Sequence, residues 1–168
     1  MKNIILTTAA FMLFTGSALA AGSHSGGHDG DVKSDDHNAE MAVGEAGKRA
    51  DASKTVVVQM KETDDGDMIY EPNSLDVKKG QTIHFVVKNK GELVHEFVLD
   101  NHSEIMEHKE IMAKFPEMEH DDPNSIRLEP GKTGNIVWKF TNAGKFEFAC
   151  LIPGHYEAGM KGDLSVAQ

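Results

Sequence analysis

The stretch GKFEFACLIPGHYEAGMKG, Gly144 to Gly162, begins with a period of two: Phe146, Phe148 and Cys150 alternate with Lys145, Glu147 and Ala149. This is the pattern of a half-buried strand, and it delivers the Cys150 thiol to the end of a core face. Pro153-Gly154 then turns the chain and lets His155 return toward the cysteine. Gly159 permits a second tight approach, which can bring Met160 over the same point. Cys150 is the only cysteine in the chain, so one loop gathers a lone thiol, an imidazole and a thioether.

The same alternation recurs on both sides of this stretch. Candidate strands are Thr55–Glu62, Ser74–Val77, Gln81–Asn89, Val94–Asp100, Ser125–Leu128, Gly134–Phe140, Gly144–Cys150 and Lys161–Val166. Lys79-Gly80, Asn89-Lys90-Gly91, Pro130-Gly131 and Asn142-Ala143-Gly144 separate them. Short strands at this spacing predict an all-β domain, a two-sheet Greek-key β-sandwich of antiparallel strands over residues 55–168. Trp138 shares a face with Ile136 and Phe140 and reads as core. Asp64-Asp65-Gly66-Asp67 lacks the further oxygen ligands of a calcium loop and reads as a hairpin turn. One segment departs from the β pattern: Asn101 with Glu104 resembles a capping box, and Ile105, Met112 and Phe115 recur at helical spacing before Pro116. A short helix at the rim of the sandwich fits.

The amino terminus places the domain in a compartment. Lys2, an apolar run from Ile4 to Phe14 and the small residues Ala18 and Ala20 form a secretory signal peptide over residues 1–20, with cleavage after Ala20. The run is too short for a spanning helix and no longer one follows, so a soluble, periplasmic protein without a membrane anchor is expected. Residues 21–54 are rich in Gly, Ser, Asp and His with few large apolar groups, and read as a flexible leader. A formal net charge of -10 argues against nucleic acid as a partner and is compatible with cationic proteins or metal ions.

In an oxidising compartment a lone cysteine has three readings: an inert buried thiol, an intermolecular disulfide, or a metal thiolate. The neighbouring donors bear on the third. Thiolate, imidazole and thioether form a soft set, unsuited to calcium or magnesium, and zinc seldom takes methionine. Two imidazoles and a thiolate in a trigonal plane with a weak axial methionine suit copper in an electron-transfer site. A second histidine is then required. His95 is the best candidate, since it lies on the strand face of Phe97 and Leu99 just after the Asn89-Lys90-Gly91 turn, although a satisfied buried histidine is the bland alternative. His84 alternates with Ile83 and Phe85 and reads as outward and structural.

The segments NKGELVHEFVLD, LEPGKTG and GKFEFACLIPGHYEAGMKG together resemble the cupredoxins, the plastocyanin and azurin superfamily of type 1 copper proteins, over nearly all of the domain. The resemblance implies one copper ion, with His95, Cys150 and His155 as equatorial ligands and Met160 as the axial one. The loop spacing is similar to that of rusticyanin, and the chain as a whole resembles exported, histidine-rich cupredoxins of bacterial copper tolerance. Glu96 departs from the family, which usually places an asparagine after the first histidine. The activity implied is one-electron transfer through Cu(II)/Cu(I) cycling, with His155 as the exit and Pro153 in the docking patch. The partner implied is a transient redox protein, a cytochrome or a copper oxidase. An enzyme is not expected, because catalytic copper proteins need further histidine-rich centres and the chain has no His-x-His pair. The rival reading is copper sequestration or homeostasis through additional sites. His24, His28 and His37 in the leader, and His102, Met106, His108, Met112, Met118 and His120 in the rim segment, are the residues available for secondary copper.

Overall fold

The computed structural model describes residues 41–116, 118 and 122–168. The alternating runs become strands: β1 (Glu45–Ala46), β2 (Lys54–Glu62), β3 (Met68–Glu71), β4 (Ser74–Lys78), β5 (Thr82–Asn89) and β6 (His95–Asp100). A helix, α1 (His102–Lys114), precedes β7 (Ser125–Leu128), β8 (Thr133–Lys139), β9 (Gly144–Ala149) and β10 (Lys161–Ala167). Eight of these match the expected strands to within one or two residues at each end. The other two, β1 and β3, have two and four residues, too few to display a period.

Two five-stranded sheets, in the orders β1-β8-β5-β2-β3 and β4-β10-β9-β6-β7, face one another across the core. The β2–β3 hairpin turns through Asp64–Asp67, where Thr63 N–H donates to Asp67 O at 2.8 Å, as the sequence suggested. Purely antiparallel pairing was expected, but β2 pairs with β5 and β4 with β10 in parallel. The cause is the crossing of the chain between sheets: β4 leaves the first sheet after β3, and β5 returns to it on the far side of β2. A hairpin joins only antiparallel strands, so a parallel neighbour requires such a crossover.

Val58, Ile83, Phe85, Val87, Phe97, Leu99, Trp138, Phe140 and Phe148 fill the space between the sheets. Phe97 and Phe148 stack at 5.3 Å, and Tyr70 meets Phe148 edge-on at 5.1 Å. The Tyr70 hydroxyl donates to the Glu96 carbonyl, so this aromatic group ends at the segment that carries His95.

The boundary expected at residue 54 is corrected toward the amino terminus. Val43 is fully buried in the core, and Trp138 Nε1 donates to its carbonyl at 3.3 Å. Gly44 has φ +137, and a Cβ there would lie 2.1 Å from Lys139 O. Only glycine fits so close to β8, and this contact registers β1 on the sheet edge. Residues 41–54 are therefore part of the domain rather than leader. Residues 1–40, with the expected signal peptide and most of the expected leader, lie outside the described residues. Among the described residues no helix is long and apolar enough to cross a membrane.

The rim helix forms as expected. Asn101 is its N-cap and accepts from Glu104 N–H at 3.1 Å. Ile105 and Met112 are buried against Val98, Ala149 and Leu151 on the outer face of the second sheet. Phe115, expected on the same stripe, is 61% exposed, because the helix ends at Lys114 and the backbone has already left helical geometry.

Candidate metal centre

His95 opens β6 with its ring fully buried. Cys150 stands one residue beyond β9, where its N–H donates to Met160 O at 3.1 Å and so continues the β9–β10 ladder. The intervening loop is closed by His155 N–H to Ile152 O and Ala158 N–H to Gly154 O, each at 3.0 Å. Met160 N–H returns to His155 O at 3.0 Å. These turns fold His155 back over Cys150, as the Pro153-Gly154 pair suggested.

One donor atom from each of His95, Cys150 and His155 lies within 4.8 Å of the others. The two Nδ1 atoms are 3.3 Å apart, and Cys150 Sγ is 3.3 Å from His155 Nδ1. Among the described residues this is the one such cluster of histidine, cysteine and carboxylate side chains. Met160 is fully buried and belongs to the same core cluster as Cys150. The sulfur of Cys150 accepts from Glu96 N–H at 3.3 Å, which fixes the thiol against the strand carrying His95. Two nitrogens and a sulfur converging at a buried point suit a soft or borderline cation.

Burial governs the protonation of all three groups. It pushes the Cys150 thiol up to about 12, with backbone hydrogen bonds opposing only in part. It lowers both imidazoles. At His95 the nearby Glu62 carboxylate partly offsets the effect, whereas at His155 the His95 ring adds to it. His155 is the most exposed of the three at 9%, against 0% for His95 and Cys150.

Glu62 was not anticipated. It ends β2, and its Oε1 lies 2.9 Å from His95 Nε2. A carboxylate can only accept, so Nε2 carries the ring proton and Nδ1 presents its lone pair to the cluster. Burial by itself would raise the Glu62 carboxyl, but hydrogen bonds from the amides of Glu92, Glu62 and Leu93 and from His95 outweigh it and hold the group below the usual range. Thirty-three residues separate the pair, and nothing in the local pattern of β2 marks its last residue as functional.

The family is decided by sequence. Residues 55–167 match the copper binding proteins of the plastocyanin/azurin family. The chain belongs to that family. It is 40% identical over 166 residues to the copper-resistant cuproprotein CopI of Rubrivivax gelatinosus, covering 99% of this chain and 96% of that protein. The CopI of Pseudomonas aeruginosa is 37% identical over 155 residues, 75% of this chain and 83% of that one. Among solved structures, the reduced auracyanin of Roseiflexus castenholzii superposes with a TM-score of 0.58 at 26% identity, over 70% of this chain and 99% of its own. This cupredoxin is thus a copper protein, and the donor set at the end of its core fits that metal.

The family departure at Glu96 has a structural counterpart. Glu96 is buried, and Arg127 Nη1 donates to its Oε1 at 3.3 Å. Its backbone N–H supplies the contact to the cysteine. His84 lies on the outer face of its sheet as expected, but it is buried there, with Nε2 2.8 Å from Asn135 Oδ1 and 3.2 Å from Arg49 Nη1. It is structural, and its cover comes from the segment misread as leader.

The rim residues separate. Met112 is enclosed beneath α1, so the expected pairing of His108 with Met112 does not make a surface site. His102 stays exposed, with Nδ1 3.2 Å from Glu147 Oε1, and Met106 is half-buried one turn on. Met118 is exposed at 39%. His24, His28, His37 and His120 lie outside the described residues.

Proposed function

We infer that this cupredoxin is a one-electron carrier of the periplasm, acting in copper resistance and exported by a signal peptide over residues 1–20. Copper would be held by His95 Nδ1, Cys150 Sγ and His155 Nδ1, with the buried Met160 thioether as a further donor. The observation that carries this reading is the convergence of the three donors within 4.8 Å at a buried point. Copper bound by such a set supplies a one-electron couple with little change of geometry between its oxidation states. The chain's own groups do the rest: Glu96 N–H holds the sulfur, Glu62 fixes the His95 tautomer, and the Cys150–Met160 ladder contact holds the loop closed.

His155 is the exit for the electron, since it reaches the surface beside the exposed Pro153 and Gly154 while the other two donors do not. A transient redox protein, a cytochrome or a copper oxidase, docks there over a small area. A second reading, copper sequestration, is favoured by the copper-resistant relatives and by the exposed His102 beside Met106.

The test is absorption after copper loading. A chain beginning at Met41 keeps the strong sulfur-to-copper band of the full protein, and Cys150→Ser loses it. Equal absorption in the two variants contradicts the ligand set. More than one tightly held copper in the Met41 chain turns the reading toward sequestration.

A further inference from the structure

Glu62 is built into the fold with more care than a solvent-facing carboxylate requires. Its Oε2 accepts from Glu92 N–H at 2.9 Å, and its Oε1 accepts from Leu93 N–H at 2.9 Å and from His95 Nε2 at 2.9 Å. The side chain is 24% exposed, so solvent only partly screens its charge. The 89–93 turn is shaped to receive it. Asn89 Nδ2 donates to the carbonyls of Leu93 and Leu128 at 2.7 and 2.9 Å, and Gly91 N–H donates to Asn89 Oδ1 at 2.9 Å. At Gly91 a Cβ would lie 2.3 Å from Glu62 Oε2, so any larger residue would displace the carboxylate. Three donors from one turn and strand thus converge on a single acidic group that touches the outer nitrogen of His95.

We propose that Glu62 sets the Cu(II)/Cu(I) balance of the centre by placing a fixed negative charge on the far side of the His95 ring. This rests on His95 being a ligand. With neutral imidazoles and a thiolate, the Cu(II) centre carries one net positive charge and the Cu(I) centre none. A carboxylate hydrogen-bonded to a ligand attracts the first state and gains nothing from the second, so it favours Cu(II) and lowers the potential. The neutral backbone carbonyl or water that could accept the same hydrogen bond would orient the ring without this bias. Glu62 is therefore a positioning residue that also tunes the metal through charge.

Glu62→Gln separates the two effects, because its amide oxygen still accepts a hydrogen bond while the charge is gone. Cu(I) and Cu(II) affinities of the full chain are measured by competition with chelators, alongside a redox titration of the coloured protein. The sulfur-to-copper band persists, Cu(II) affinity falls, and the Cu(I)/Cu(II) affinity ratio rises about tenfold, a midpoint increase of about 59 mV for one electron. A ratio within about twofold of the parent overturns the proposal, as does an equal loss of both affinities, which marks Glu62 as only a brace for the turn. If Glu62→Gln does not accumulate as folded protein, Glu62→Ser removes the charge, admits water to the hydrogen bonds and is held to the same ratio. His95→Ala is the control for the underlying reading. An unchanged band there refutes His95 as a ligand, and the Glu62 proposal with it, whereas an unchanged ratio in Glu62→Gln with His95→Ala colourless refutes the tuning alone.

Discussion

In the proposed centre, Cys150 carries a proton that copper would have to displace. Burial holds the metal-free thiol near 12, so at neutral pH it is protonated, while His95 and His155, both lowered chiefly by burial, are already neutral. Binding between about pH 7 and 9 therefore releases about one proton per copper, and the apparent affinity rises about tenfold per pH unit. Calorimetric titration in buffers of different ionisation enthalpy counts that proton, and zero release would mean that the thiolate is not a ligand. At this scale the sequence was informative where the candidate donors share a loop. Cys150, His155 and Met160 are marked by their spacing, and His95 by its strand face and turn. Glu62 was illegible, because its role comes from pairing of β2 with β5 and from a turn that reaches back across the sheet edge.

Among the elements, β1 shows most clearly what a sequence period cannot report. Two residues have no alternation, yet their pairing with β8 accompanies the burial of Val43, whose carbonyl accepts from Trp138 Nε1. Gly44→Ala should cost about 2 kcal/mol or more, since the residue must leave a conformation reserved for glycine and move a backbone carbonyl. Urea unfolding measures this, with the copper band unchanged in the folded variant. A loss below about 0.5 kcal/mol would return residues 41–46 to the status of leader. The rim helix was legible through its cap at Asn101 and its buried pair Ile105 and Met112. Its methionines were ambiguous, because the spacing that places Met112 one turn from His108 also places it two turns from Ile105, and burial decides for the core.

At the scale of the whole molecule, the two-sheet sandwich followed from short alternating runs with Gly and Pro between them, but the parallel pairs did not. Strand alternation reports which face is buried and carries no information about the direction of a neighbour. The centre depends on that arrangement. His95 opens β6, Cys150 follows the adjacent β9 of the same sheet, and the carboxylate behind His95 comes from the other sheet, so the packing of the two sheets fixes the candidate site from both sides. X-ray absorption at the copper edge, on the full chain loaded with one Cu(II), tests this most directly. Two imidazole nitrogens and one short sulfur contact are predicted, with the sulfur lost in Cys150→Ser. A first shell of nitrogen and oxygen alone in the parent protein would contradict it.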